Sequence, residues 1–264
     1  MTAALPDIPN FRDAGGLATA SGRSMRRGVV YRSAQLFGLT PAQEGLLVAL
    51  GVREVYDLRT REEVDHRPDS LPDSICLTVD DVLADRPHSA AAEVATIVNS
   101  HADRASVDQI NRIVGDGKAK RLMIETYQHF VTLPSAHRAY AGLLTGIAHA
   151  RGAAVIHCTA GKDRSGWGIA LLQLVAGARM DDVMADYLLS NEPMRQAYGP
   201  MLSAFAEEGG DAGSLAHMML VEPDYIDAAF TLMREQFGDL DGYLSRGLLL
   251  APADADRLRG RLLA

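Results

Sequence analysis

Over the first eighty residues, short β-branched and aromatic runs alternate with longer stretches whose apolar positions recur at helical spacing. GVVYRSA (28 to 34), VREVYDL (52 to 58) and SICLTV (74 to 79) read as strands. Between the first two, Thr40, Pro41 and Gln43 form a helix start with a capping box, and Gly51 supplies the stop, so PAQEGLLVAL is expected to be helical. Thr60 and Glu63 in TREE repeat that box and open a short helix ending by Pro68. A hairpin is expected near AGG and SGR. Strand and helix in alternation predict parallel pairing with right-handed crossovers.

From about residue 82 to 130 the strand signal fades and charged, helix-periodic sequence replaces it, which predicts a helical insertion. Ser135 is expected to cap the next helix, AHRAYAGLLTGIAHA, which stops at Gly152 and feeds AAVIH. That apolar run is too short for a buried helix and suits a central strand. A strongly apolar helix, WGIALLQLVAGA, follows, with Gly177 near its end; DDVMADYLLS, MRQAYGPMLSAFAEE, PDYIDAAFTLMREQFG and ADADRLRGRLL are further helices. The EEGGDAG stretch reads as a loop and no internal repeat is evident. The expectation is one α/β domain over residues 1 to 264, with a mainly parallel central sheet flanked by helices.

Composition narrows the partners. A formal net charge of -8 argues against nucleic acid or an anionic membrane as an obligate partner, though it leaves room for a small basic pocket. The two cysteines, Cys76 and Cys158, make no disulfide framework, and Cys76 within SICLTV reads as a buried apolar residue. No window reaches the length of a membrane span, and the first residues lack a basic segment followed by a long apolar run. A cytoplasmic location is expected, with export by a route needing no such leader left open. Asp65 with His66, and His101 with Asp103, make no metal-ligand set, so neither metal nor other cofactor is expected. Nothing in the sequence sets the oligomeric state.

The stretch HCTAGKDRSG, residues 157 to 166, carries the chemistry. It joins the strand AAVIH to a helix, and a loop of this length can turn successive backbone N–H groups inward at an anion, aided by the helix dipole. Gly161 and Gly166 permit close backbone approach. Arg164, six residues after Cys158, can hold two phosphate oxygens with its planar fork, and the same donors stabilise a thiolate at Cys158. A cation at a helix start is unfavourable unless an anion compensates.

Cysteine, five residues and arginine, after an apolar strand and His157 and before Ser165 and Gly166, is the signature of the protein tyrosine phosphatase superfamily. NFRDAGG (10 to 16), YRSAQL (31 to 36), LGVREVYDLRTREE (50 to 63), ADYLLSN (185 to 191) and GDLDGYL (238 to 244) extend the likeness over nearly the whole chain. Together they resemble the bacterial tyrosine phosphatases of the mycobacterial phosphatase B type. The resemblance implies phosphate-monoester hydrolysis through a phosphocysteine, on phosphotyrosine first and on phosphoserine, phosphothreonine or phosphoinositide as further candidates. It also implies a covered active site, which makes the helical insertion a candidate lid.

On this basis Cys158 is the expected nucleophile and Arg164 its phosphate clamp. Asp163 is the first candidate for the general acid, with Asp80 and Asp81, after SICLTV on the carboxyl edge of the sheet, as alternatives. Thr159, Ala160, Gly161, Lys162 and Ser165 are expected to bind substrate, Lys162 adding charge and Ser165 easing thiolate departure. His157 is expected to brace the loop. Asp57 and Arg59, in YDLR, either line the same mouth or form a structural ion pair. Asn10, Arg12 and Asp13 read as bracing groups. Two other classes compete: a catalytically silent binder of phosphorylated ligands, which the intact Cys158 and Arg164 disfavour, and a rhodanese-like sulfurtransferase, whose cysteine needs no arginine at this spacing.

Overall fold

The computed structural model of the protein describes residues 8–86 and 104–264. Five strands form one sheet: β1 (Arg12–Asp13), β2 (Val30–Ser33), β3 (Val52–Asp57), β4 (Cys76–Val79) and β5 (Ala153–His157), in the order β1-β2-β5-β3-β4. β1 runs antiparallel to β2, and every other pairing is parallel. This is the mainly parallel α/β sheet that alternation predicts. β5 lies in the middle with all five residues buried, as an apolar run bounded by Gly152 requires.

Alternation across β3 and β5 sends side chains to two cores. Ala154, Ile156 and Tyr56 face the larger cluster, with Tyr127, Tyr140, Trp167 and Phe230, whereas Val55 and Val155 face a smaller one with Leu36 and Leu47. Both capping boxes form as expected, opening α1 (Pro41–Ala49) and α2 (Arg61–His66). Gly51 and Gly177 close their helices with positive φ, 75° and 86°. The turn between AGG and SGR closes through an antiparallel bridge, Ala18 to Ser24.

Further along come α3 (Arg104–Val114), α4 (Lys118–Thr132), α5 (Pro134–His149), α6 (Arg164–Val175), α7 (Met180–Leu188), α8 (Asn191–Glu207), α9 (Ala212–Met219), α10 (Pro223–Phe237) and α11 (Pro252–Leu262). Part of the expected insertion, with His101 and Asp103, lies outside the described residues. Tyr127, Phe130 and Val131 of α4 are fully buried in the larger cluster, so this helix is part of the main core.

Two expectations are corrected. Ser135 is not the cap of α5: Pro134 takes the first helical position, and the Ser135 hydroxyl donates to the Val82 carbonyl at 2.9 Å. The Ser135 N–H is instead satisfied by Asp85 Oδ2 at 2.6 Å, a cap supplied from a distant loop. Cys76 is exposed, because β4 is an edge strand whose side chains face solvent on both faces.

Candidate active site

Parallel register aligns three strand ends. Ser33 of β2, His157 of β5 and Asp57 of β3 stand side by side, so the loops leaving them converge at the carboxyl edge of the sheet. Residues 158 to 163 leave β5 and run into α6, with Cys158 buried at 2% exposure.

Every carbonyl from Thr159 to Lys162 is held by a donor from outside the loop. The Gln35 N–H takes Thr159 O at 3.1 Å, and Asn10 Nδ2 takes Ala160 O at 3.2 Å and Gly161 O at 2.8 Å. Arg32, fully buried, takes Gly161 O at 2.6 Å and Lys162 O at 3.3 Å. In a trans peptide the N–H points opposite its carbonyl, so carbonyls drawn outward turn the N–H groups of residues 160 to 163 toward the inside of the loop. Arg12 and Asp186 complete the brace: Arg12 donates to Asp186 at 3.2 Å and pairs with Asn10, and Asp186 lies 3.5 Å from Arg32. Gly161 is required for this approach. Its φ is +66°, and a Cβ there would lie 2.0 Å from the Ser33 carbonyl.

Arg164 opens α6 and is clamped by Glu63 of α2, Nη1 to Oε2 at 2.6 Å and Nη2 to Oε1 at 2.9 Å. This grip takes the two terminal nitrogens end-on, which leaves Nε–H and the second Nη2–H, the parallel pair a phosphate uses, uncommitted to Glu63. Burial alone would raise the Glu63 carboxyl, but Arg164, Thr159 and the Thr60 N–H carry it well below the usual carboxylate range. Burial opposes charge on Arg164, and Glu63 and Cys158 more than offset it, keeping the guanidinium charged.

Beneath the loop lies a buried polar group. Arg59 donates to Asp57 Oδ2 at 2.7 Å and to Asp69 Oδ1 at 2.9 Å, and His157 Nε2 meets Asp69 Oδ2 at 2.7 Å. Ligand-capable atoms of Asp57, Asp69 and His157 lie within 4.8 Å of one another, but the Arg59 guanidinium already supplies the positive charge between the carboxylates.

On the other side, Asp163 accepts from the Tyr127 hydroxyl at 2.9 Å and pairs with Lys162 Nζ at 2.8 Å. The Tyr127 and Tyr187 hydroxyls meet at 2.7 Å, and burial raises both phenols well above their ordinary values. Lys162 is buried and also donates to the Met218 carbonyl at the end of α9, at 2.9 Å. Ser165 Oγ is buried without a hydrogen-bond partner among the described residues.

Such a loop, with inward N–H groups, a buried cysteine and a charged arginine at a helix start, is built to hold a tetrahedral anion against a sulfur. The sequence matches the tyrosine phosphatase family over residues 3–264. The chain belongs to this family. It is 31% identical to the triple specificity protein phosphatase PtpB of Mycobacterium tuberculosis, over 98% of both chains. It is also 31% identical to a Cupriavidus necator protein named as a tyrosine-protein phosphatase, over 99% of this chain and 88% of the other. The protein is a tyrosine phosphatase-family enzyme and acts on phosphorylated substrates. No helix among the described residues is long and apolar enough to cross a membrane.

Within this phosphatase the expected residues do not all converge. Cys158, Thr159, Ala160, Gly161 and Arg164 share the loop. Lys162 turns away from its interior toward α9, and Asp57 and Arg59 form the buried ion pair. Asp81 spends its oxygens on the Leu83 and Arg61 N–H groups, at 2.9 and 3.1 Å. Asp80 lies against Gly142 of α5, its carboxyl raised by burial. The sequence did not single out Glu63 beyond its cap, nor Arg32, Asp69, Tyr127 or Tyr187. Glu63 carried one usable signal, a carboxylate just past the end of a central strand. The tyrosines carried none, because buried aromatics at helical spacing look like core.

Proposed function

We propose that the protein hydrolyses phosphate monoesters through a phosphocysteine, phosphotyrosine first among its substrates, without a metal. The observation that carries this is the loop whose carbonyls are all drawn outward around Cys158. The Cys158 thiolate attacks phosphorus in line, and the S–P bond forms as the ester P–O bond breaks. Inward N–H groups and the Nε–Nη2 edge of Arg164, whose Nη2 also reaches Thr159 Oγ1 at 3.4 Å, hold the equatorial oxygens through the transition state.

Asp163, within the loop, is the carboxyl we assign to the leaving oxygen; Asp81 is committed to backbone, and Asp80 is buried beside Gly142 of α5. Tyr127 orients it. In the second step water attacks phosphorus, Asp163 takes the water proton, and the thiolate departs with the buried Ser165 hydroxyl as donor. Residues 1 to 264 act as one phosphatase domain, in which the described helices Arg104–Val114 and Lys118–Thr132 wall the cleft. Tyr127, Phe130 and Val131 are buried in the main core, which supports a fixed wall over a lid for Lys118–Thr132. The named breadth of the mycobacterial relative supports testing phosphoserine, phosphothreonine and phosphoinositide alongside phosphotyrosine.

The test is phosphate release from a phosphotyrosine peptide and a phosphoinositide, with chelator present, by the native protein and by Cys158→Ser. Turnover in the native protein that vanishes in the variant is expected. Native turnover that survives the substitution would overturn the cysteine mechanism. Asp163→Asn should slow phosphotyrosine and alkyl phosphates far more than the phosphate of an acidic phenol such as 4-nitrophenol, whose leaving oxygen needs a proton least; equal slowing would remove Asp163 from the acid role.

A further inference from the structure

We propose that Asp69 is a positioning residue for catalysis, a carboxylate that ties the entrance and the flank of the phosphate loop to one point beneath it. The inference rests on the phosphatase reading and deepens it. Asp69 lies in the connection between α2 and β4, on neither a helix nor a strand, and its side chain is fully buried. Its oxygens face three segments. Oδ2 meets His157 Nε2 at 2.7 Å, and Oδ1 accepts from the Leu36 N–H at 3.0 Å and from Arg59 Nη2 at 2.9 Å.

Each segment leads directly to the loop. His157 immediately precedes the nucleophile, and its Nδ1 lies 3.2 Å from the Cys158 carbonyl. Leu36 follows Gln35, whose N–H holds the Thr159 carbonyl at 3.1 Å. Arg59 leaves the end of β3 and reaches the Gln35 side chain at 3.2 Å. The peptides on either side of Thr159 are therefore fixed from both flanks by chains of contact that meet at Asp69. The Nε2–Oδ2 contact at 2.7 Å, an ion-pair approach lying off the hydrogen-bond direction, also restrains the imidazole.

This constellation is costly to assemble. Burial would raise the Asp69 carboxyl, yet its contacts with His157, Arg59 and the Leu36 N–H bring it below the ordinary value. A carboxylate held this firmly without reaching solvent fits a geometric role better than a surface one.

The readout is the pH dependence of Cys158 alkylation by iodoacetate, which needs no turnover. It is measured on a Cys76→Ser background, because Cys76 is exposed and would react as well. The charged and titratable groups around Cys158 are Arg164, Asp163, Glu63, His157 and the Tyr140 and Tyr198 phenols; those around Asp69 are Arg59, Asp57 and His157. Removing a buried negative charge by Asp69→Asn would, through space alone, ease thiolate formation and lower the alkylation midpoint. Loss of positioning does the opposite, since N–H groups that converge less well stabilise the thiolate less.

The expected result for Asp69→Asn is a midpoint raised by about half a unit or more, with kcat reduced at least about tenfold and KM changed by less than about threefold, the split expected when a transition-state interaction is lost. His157→Gln breaks the same contact from the other side and should raise the midpoint likewise. An unchanged or lowered midpoint in folded variants overturns the proposal. Failure of both variants to fold also overturns it, in favour of a purely structural tie. Absence of turnover in the native protein would instead count against the phosphatase reading, which the alkylation profile leaves separate.

Discussion

Replacing Glu63 by glutamine separates the two tasks its carboxylate performs. As the third helical residue of α2, glutamine still accepts from the Thr60 N–H, as Gln43 does from Thr40 in α1. What is lost is the charged clamp on Arg164, two contacts at 2.6 and 2.9 Å. Hydrogen bonds to charged groups contribute roughly 1.5–3 kcal/mol. The Glu63 side chain is 29% exposed, so solvent screening and the bond an amide retains reduce the loss. About 2 kcal/mol remains, which corresponds to about a 30-fold fall in kcat/KM if all of it is spent aiming Arg164 at the transition state.

The assay is steady-state turnover of a phosphotyrosine peptide, with competitive inhibition by orthophosphate and a thermal melt alongside. Glu63→Gln should bind orthophosphate more weakly and melt a few degrees lower, and Glu63→Ala should lose a further ~1 kcal/mol of stability with the capping box. Turnover by Glu63→Gln within twofold of native would refute the reasoning. So would tighter orthophosphate binding, because Glu63 would then be competing with phosphate for Arg164.

Other outcomes follow from the same geometry. Glu63 and Asp69 both have folded-state carboxyls below their unfolded values, so their stabilisation is complete above the unfolded range, about pH 4, and is lost as pH falls further. The urea midpoint should stay level from pH 7 to about 5 and drop below about 4, less steeply in Glu63→Gln; a level midpoint down to pH 3 would contradict this. Gly161→Ala must push a methyl into the Ser33 carbonyl at a positive φ, so orthophosphate binding should be lost with a stability cost of about 2 kcal/mol or more, read by calorimetry. Tyr127→Phe leaves Asp163 and Tyr187 each short of a buried partner and should cost about 1–3 kcal/mol of stability. It should also alter the alkaline limb of the kcat profile, where activity falls as the acid Asp163 ionises, and an unchanged profile would show that Asp163 needs no orientation from Tyr127.

Local chemistry makes much of this protein legible in its sequence. The capping boxes at Thr40 and Thr60 act within four residues, and the β5 run and the glycine stops are equally local, so strand, helix and loop around Cys158 could be placed from sequence. The loop's spacing also pairs Cys158 with Arg164 without reference to the rest of the chain. Ser135 shows where such inference fails: the hydroxyl looked like a cap, but Asp85 was brought to that helix end by the fold. Cys76 failed because a strand's place at the edge of a sheet is decided by strand order, which no local pattern encodes.

What only the tertiary structure decided is the set of groups that make the loop a site. Asn10 and Arg32 reach it across 151 and 129 residues of sequence, Glu63 across 101 and Tyr127 across 36. Their residue types are unremarkable where they stand. They gain meaning because parallel register sets the ends of β2, β3 and β5 level, and because a buried polar atom must find a partner wherever the packed chain supplies one. The sequence determined Cys158, its arginine and the strand that presents them; packing determined which carboxylates, amides and phenols surround them, since those contacts exist only when distant segments share one edge of the sheet.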